Sequence, residues 1–161
     1  MSPKSLLRHK LAISNLSDLA SESGFMAILP ETEKLVADLE VKRLVICSGK
    51  VYYDLYEERQ KNNIKDVAII RMEQFYPFPE KLLSEQLAKY KNAQVVWCQE
   101  EPKNMGAWFF VNPRIEEVLV KSGHNCKRAM YVGREEAASP AVGYLKIHNQ
   151  EQAALVAKAI L

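Results

Sequence analysis

Three polar segments of the sequence have residue types that can bind an anion or transfer a proton. The first, Ser48-Gly49-Lys50, follows an apolar run and opens a predicted helix. Ser48 or Gly49 can cap that helix, and the freed backbone amides with the positive end of the helix dipole favour a phosphate there. The segment is not a Walker motif, because the upstream glycine and the following Ser or Thr are missing. From the residues alone we favour the alternative interpretation, a simple helix cap beside a solvated lysine.

The other two polar segments are Gln99-Glu100-Glu101 and Gly133-Arg134-Glu135. Two carboxylates at Glu100 and Glu101 can do acid–base chemistry. We favour a surface turn or an acidic helix cap for this pair, because neighbours in sequence need not face the same cleft. Arg134 offers a planar guanidinium that matches phosphate oxygens.

The cysteines and histidines do not have the spacing of a metal site or of an activated nucleophile. Cys47, Cys98 and Cys126 include no CxxC pair, and His124 has no second pair of ligands nearby. The glycine and asparagine that flank His124 predict an exposed turn. Wide spacing is typical of reduced thiols, and Cys47 and Cys98 lie in apolar runs that predict burial. We therefore predict no catalytic residue and no metal site in this chain.

Composition and charge exclude several classes of function. The chain has 161 residues, of which 48% are hydrophobic and 26% charged, with a formal net charge of +2. The nearly balanced charge argues against nucleic acid or a membrane surface as a partner. No apolar run approaches the roughly 20 residues of a membrane span. Lys4, Arg8 and Lys10 are not followed by the apolar region of a signal peptide.

The sequence divides at about residue 40 into an arm, residues 1–40, and a body, residues 41–161. The arm lacks a clear period, although residues 14–20 are compatible with a short helical turn, and Gly24 and Pro30 interrupt it. We expect the arm to pack on something other than this chain, for example a domain that is not part of it.

The body alternates between predicted strands and predicted helices. Short apolar runs predict strands at 43–47, 67–71, 94–98 and 128–132, and amphipathic segments predict helices at 50–61, 79–90, 106–121 and 150–160. Pro113 indicates either that the third helix begins near Asn112 or that it is kinked. The alternation predicts an α/β fold with a mostly parallel sheet and helices on both faces. The three polar segments then follow strands, where ligands bind in such sheets.

Longer motifs, here called words of the sequence, resemble those of the 2-oxoglutarate dehydrogenase decarboxylase family. They occur in the family's order and span nearly the whole chain. The matching words are Met1–His9, Cys47–Leu55, Glu73–Pro79, Trp97–Pro102 with Asn104 and Gly106–Trp108, and Ala138–Tyr144. The last two also separate this family from the pyruvate dehydrogenase and transketolase branches.

The resemblance implies a fold and a parent reaction. The fold is the transketolase-type C-terminal domain, a three-layer sandwich with a sheet of about five strands, one of them antiparallel. The parent enzyme decarboxylates 2-oxoglutarate on thiamine diphosphate with magnesium, and it succinylates the lipoyl group of a succinyltransferase component. Its coenzyme lies between two earlier domains of a homodimer, whose motifs are absent here. The arm then resembles the linker from the preceding pyrimidine-binding domain, and this chain alone is expected to be inactive, in a bacterial cytoplasm or a mitochondrial matrix.

The resemblance also implies an effector site for AMP or acetyl-CoA. The matching positions are Arg8, Ser48, Lys50 and Arg134. This chain departs from some members at Glu135, where they have a second consecutive basic residue. Two other functions stay open, namely a free-standing nucleotide-binding regulatory module and a purely structural domain that holds a dimer together.

Overall fold

One mixed β-sheet organises the part of the chain that the computed structural model describes, residues 3–20 and 23–161. Its order is β1–β3–β2–β4–β5; β1 is antiparallel to β3, and the other neighbours are parallel. The strands are β1 (Ile28–Leu29), β2 (Arg43–Cys47), β3 (Val67–Met72), β4 (Gln94–Pro102) and β5 (Met130–Arg134). The predicted mostly parallel sheet with one antiparallel strand is therefore confirmed.

Two helices cover each face of the sheet. The helices are α1 (Val51–Lys61), α2 (Glu80–Lys89), α3 (Trp108–Lys121) and α4 (Leu145–Ile160). Buried side chains of α2 and α3 pack in one core with Leu44 and Ile46 of β2, whereas those of α1 and α4 pack in a second core with Val45 and Cys47. Because successive strand residues point to opposite faces, the continuous apolar run of β2 serves both cores. The three-layer α/β sandwich is confirmed.

The predicted ends of three elements are wrong in ways that affect the candidate site. β4 continues to Pro102 and β5 begins at Met130, so Glu100 and Arg134 lie within strands and not in the turns that follow them. The prediction ended β4 with its apolar run, but the strand continues through polar residues. Their side chains and backbone form hydrogen bonds with neighbouring segments. Helix α4 begins at Leu145, five residues before its predicted start at 150.

Helix α3 begins at Trp108 and contains Pro113. The interpretation that this helix begins near Asn112 is therefore wrong. A proline inside a helix lacks the N–H that would bond to the carbonyl four residues earlier, here that of Phe109. The buried side chains of Val111 and Ile115 hold the helix against the sheet on either side of the proline.

The arm has two parts that differ in how they contact the body. Residues 3–20 contain two 3₁₀ helices, Lys4–Arg8 and Leu16–Leu19, and the second confirms the helical turn expected at 14–20. Ile28 is buried in the sheet as part of β1, and the side chain of Glu31 is only 4% exposed. Of the arm, Met1, Ser2, Ser21 and Glu22 lie outside the described residues.

No helix in the described part of the chain is long and apolar enough to cross a membrane.

Candidate functional site

The topology places a crevice at the carboxyl ends of β2 and β4. These neighbouring parallel strands lead into helices on opposite faces of the sheet, α1 after β2 and α3 after β4. Ligands in open α/β sheets bind at such a switch point. A cavity of about 590 Å³ lies there, between the Ser48–Lys50 turn and aromatic side chains of the other face, with Pro3 of the arm on its lining.

The Ser48–Lys50 turn does not have the predicted cap. Helix α1 has Lys50 as its N-cap residue with no side-chain cap bond, so the prediction that Ser48 or Gly49 caps it is wrong. Gly49 adopts a φ of +69°, and its carbonyl accepts the Tyr52 amide at 3.3 Å, which closes the first turn through the backbone. The Gly49 amide donates to Glu73 Oε1 at 3.4 Å. A carboxylate of the chain thus already lies where an anion was expected.

Lys50 lies between two carboxylates. Its Nζ is 2.7 Å from Glu100 Oε1 and 3.1 Å from Asp54 Oδ2, and its side chain is 28% exposed. Burial by itself lowers the pKa of Lys50, but the hydrogen bonds and charges of Glu100 and Asp54 outweigh burial and raise it. Lys50 is therefore a charged, paired residue, and the sequence-based alternative of a solvated lysine does not describe it.

Arg134 is also paired, on the other side of β4. Its Nε donates to Glu151 Oε2 at 3.0 Å, and one Nη donates to Gln152 Oε1 at 2.8 Å. The other Nη donates to the backbone carbonyl of Glu100. Arg134 lines a second cavity, of about 370 Å³, between the end of β5 and helix α4.

Glu100 and Gln152 join the two basic residues into one network. The Gln152 amide nitrogen donates to Glu100 Oε1 at 3.1 Å and to Asp54 Oδ2 at 2.7 Å, while its oxygen accepts from Arg134. The structure therefore brings Lys50 and Arg134 together around residues of β4 and α4. The Glu100 carboxylate and the Gln152 amide lie between the two cations in this network.

The structure does not place the four predicted effector residues in one cavity. Ser48 and Lys50 line the larger cavity, and Arg134 lines the smaller one. Arg8 is exposed at the end of the first 3₁₀ helix. Its neighbour His9 makes the contact with the body, with its ring 5.2 Å from that of Tyr53.

Gln99 has a structural role at the site that the sequence did not reveal. Its Oε1 accepts from the Trp97 indole at 2.9 Å and from the Trp108 amide at 3.0 Å, and its Nε2 donates to the Met105 carbonyl at 2.8 Å. Strand periodicity provides a signal, since Trp97 and Gln99 share one face of β4. The buried amide fixes the 101–107 segment, which forms one wall of the larger cavity.

The thiols and His124 have structural roles. Cys47 and Cys98 are buried as predicted, and burial raises the pKa of both, that of Cys98 to about 12. His124 is 1% exposed, so the predicted exposed turn is wrong. Its Nδ1 accepts the Cys126 amide at 3.0 Å, which leaves Nε2–H to donate to the Tyr90 carbonyl at 2.9 Å. This assigns the tautomer and satisfies both ring nitrogens.

Comparisons with known proteins identify the family of this chain. The family described as "2-oxoglutarate dehydrogenase C-terminal" matches residues 13–160. The 2-oxoglutarate dehydrogenase E1 component of Brucella ovis is 50% identical and that of Brucella abortus is 49% identical, each over 99% of this chain. The chain spans only 17% of the length of these relatives.

A solved structure shares the fold at low identity. The chain described as "Split gene transketolase, inactive beta4 tetramer" aligns with a TM-score of 0.54 and 15% sequence identity, over 88% of this chain and 44% of that one. This likeness concerns the fold alone, and it matches the transketolase-type domain that the sequence words implied. From the family match and the close relatives, this chain belongs to the 2-oxoglutarate dehydrogenase C-terminal family.

Proposed function

We propose that this chain acts as the C-terminal domain of a longer 2-oxoglutarate dehydrogenase E1 component, with a structural and regulatory role and no catalytic residue of its own. The parent would oxidatively decarboxylate 2-oxoglutarate and transfer the succinyl group to the lipoyl group of a succinyltransferase component. It would work in a bacterial cytoplasm or a mitochondrial matrix. Family membership and the 17% coverage of the relatives support this proposal.

The exposed apolar side chains of the arm carry the structural part of the proposal. Leu7, Ile13, Leu16, Leu19 and Phe25 are each at least 73% exposed. Apolar side chains concentrated on one segment are typical of a surface that another part of a protein covers. They support an arm that links to a preceding pyrimidine-binding domain and packs on it or on the second subunit of a homodimer.

Thiamine diphosphate and magnesium would be held by domains outside this chain. Within residues 3–20 and 23–161, no three His, Cys, Asp or Glu side chains are grouped so that they could hold a metal ion. We therefore assign no residue here to the cofactor and derive no step of the reaction from this domain.

The regulatory part of the proposal is that AMP or acetyl-CoA binds at Ser48, Lys50 and Arg134, with Arg8 contributing from the arm. The network that joins Lys50 to Arg134 through Glu100 and Gln152 supports it, because it gathers both cations around one small group of polar residues. Both cations are already paired, so a phosphate must replace carboxylate partners to bind.

A pair of glutamate substitutions in the arm tests the structural role. Ile13→Glu and Leu16→Glu should leave the melting temperature of this chain unchanged, because both side chains are exposed. In the full-length parent the same changes should prevent assembly of the dimer, measured by sedimentation. Ser14→Glu with Ser17→Glu is the control, since this pair adds the same two negative charges at exposed polar positions. Normal assembly of the double variant would contradict packing of the arm on the second subunit.

Calorimetry tests the regulatory role. AMP and acetyl-CoA are titrated into the full-length dimer, its Lys50→Ala and Arg134→Ala variants and this chain. Loss of one charge-assisted hydrogen bond should weaken binding about tenfold or more. If the wild-type dimer binds neither ligand, the regulatory role is wrong and the structural role remains.

A further inference from the structure

We propose that Glu100 is a built-in competitor of the anion, so that the site at Lys50 and Arg134 binds a ligand only when the Glu100 carboxylate is displaced. This inference rests on the proposed effector site and assigns its regulation to a residue of β4. Three observations carry it: the position of Glu100, the local charge balance and the separation of the two cavities.

Glu100 occupies the position from which both cations are reached. Its carboxylate accepts from Lys50 Nζ at 2.7 Å, and its backbone carbonyl accepts from Arg134. β4 lies between β2 and β5 in the sheet, so a residue at the end of β4 is the one that can contact the end of both neighbours. The Glu100 side chain is 25% exposed, which leaves it an open route toward solvent when it is displaced.

The local charge is unfavourable for an anion while Glu100 stays in place. Lys50 and Arg134 contribute two positive charges, and Asp54, Glu100 and Glu151 contribute three negative charges. An incoming phosphate therefore meets a cluster with a net negative charge, which repels it. Removing the Glu100 charge leaves the cluster neutral and frees Lys50 to donate to a ligand.

The two cations line separate cavities, which share no lining residue. Lys50 lines the larger cavity together with Glu100, and Arg134 lines the smaller one. The Glu100 carboxylate and the Gln152 amide link the two basic residues, since Gln152 donates to Glu100 and accepts from Arg134. Displacement of the Glu100 carboxylate frees Lys50 for a ligand, and that ligand then reaches Arg134 by replacing Gln152 or Glu151 as its partner.

Glu100→Gln is the test variant, and Glu101→Gln is its matched control. Both remove one negative charge, both residues line the same cavity, and Glu101 is exposed and is not among the ion-pair partners of Lys50 or Arg134. Any difference between the variants therefore reports the contacts of Glu100 and not the net charge. Thermal unfolding confirms that both variants are folded.

The first measurement needs no ligand. Acetylation of Lys50 by an amine-reactive ester is followed by mass spectrometry, with exposed Lys81 as the internal reference. Loss of the Glu100 partner should lower the pKa of Lys50 and free its amine, so Glu100→Gln should accelerate labelling of Lys50 several-fold relative to Lys81. Equal labelling in the wild type and both variants would overturn the proposal.

The second measurement is calorimetric titration with inorganic pyrophosphate and, separately, AMP. Glu100→Gln should bind pyrophosphate about tenfold or more tightly than the wild type, whereas Glu101→Gln should change affinity much less. If the two variants change affinity equally, the role of Glu100 is wrong. If pyrophosphate shows the expected order and AMP binds no variant, Glu100 acts as proposed and the nucleotide effector is wrong. If Glu100→Gln binds neither ligand below about 1 mM, both proposals fail.

Discussion

Glu31 and Arg59 form a two-point ion pair in which the side chains are only 4% and 1% exposed. Arg59 also donates to the Val67 carbonyl at 3.0 Å, and Glu31 accepts the Ile69 amide at 2.7 Å. One carboxylate thus links the segment after β1 to helix α1 and strand β3. These hydrogen bonds satisfy both charges, which a buried pair requires.

Glu31→Ala should therefore destabilise the chain strongly. It leaves the Arg59 charge buried without its partner, which typically costs about 3–5 kcal/mol. The free energy of unfolding is measured by urea denaturation. Lys42→Ala removes a partner of the exposed Lys42–Asp66 pair and should have no measurable effect. If Glu31→Ala is as stable as Lys42→Ala, the buried pair does not hold this segment.

Gly106→Ala should destabilise the domain more than Gly123→Ala. Both glycines have positive φ, +66° and +64°, so both alanines are strained by about 1–2 kcal/mol. A Cβ at Gly106 would lie 2.8 Å from Gln99 Nε2, whereas nothing lies within 4 Å of a Cβ at Gly123. The extra cost reports how firmly Gln99 is held. Equal unfolding midpoints for the two variants would indicate that Gln99 moves aside freely.

Only one thiol should react quickly with a thiol reagent in the folded state. Cys126 is partly exposed, whereas Cys47 and Cys98 are buried. Burial raises the pKa of the Cys98 thiol to about 12. The reagent therefore cannot easily reach this thiol, and little of it is in the reactive thiolate form. Spectrophotometric titration should give one reactive thiol in the native protein and three in guanidinium chloride. A second fast thiol in buffer would indicate that the sheet opens locally.

Tyr131 should make the stability of the domain depend on pH above 10. Burial, and next the charge of Glu135, raise the pKa of Tyr131 from 10.0 to about 12. The folded state therefore keeps this proton where the unfolded chain loses it, and stability is lost as the pH rises from about 10 toward about 12.

Tyr131→Phe isolates this effect. At neutral pH the variant should be less stable by about 1 kcal/mol, because the hydroxyl hydrogen bond to the Arg134 carbonyl at 2.8 Å is lost. The difference from the wild type should shrink as the pH rises from about 10 toward about 12, since only the wild type has this titration. A constant difference across that range would contradict a raised pKa.

Hydrogen exchange should divide the chain into a fast and a slow part. The amides of residues 3–20 should exchange fast, because their side chains are mostly exposed and their hydrogen bonds are local. The amides of β2 and of residues 94–98 should exchange slowly, since these segments are central in the sheet. Uniform protection in this chain alone would contradict an arm that needs a partner.

Periodic patterns in the sequence were sufficient to predict the three layers of the fold. The apolar runs at 43–47 and 94–98 identify strands buried on both faces, because such runs leave no polar side for water. The longer words added the family, and with it the antiparallel strand that the pattern alone did not reveal. Element ends failed where polar side chains continue a strand, as at Gln99, since their hydrogen-bond partners are distant in sequence.

The sequence determined which residue types occur at the candidate site, and the tertiary structure determined which of them are paired with one another. Ser48, Lys50 and Arg134 were identified from their positions near strand ends. Their pairing was not, because contact between Lys50 and Glu100 depends on β4 being the neighbour of β2, and strand order is not a local property. The burial of Glu31 against Arg59 has the same origin, since two charged residues 28 positions apart have no pattern in sequence that marks them as partners. Local periodicity determines which segments form helices and strands, and only the packing of those segments determines which charges are open to a ligand.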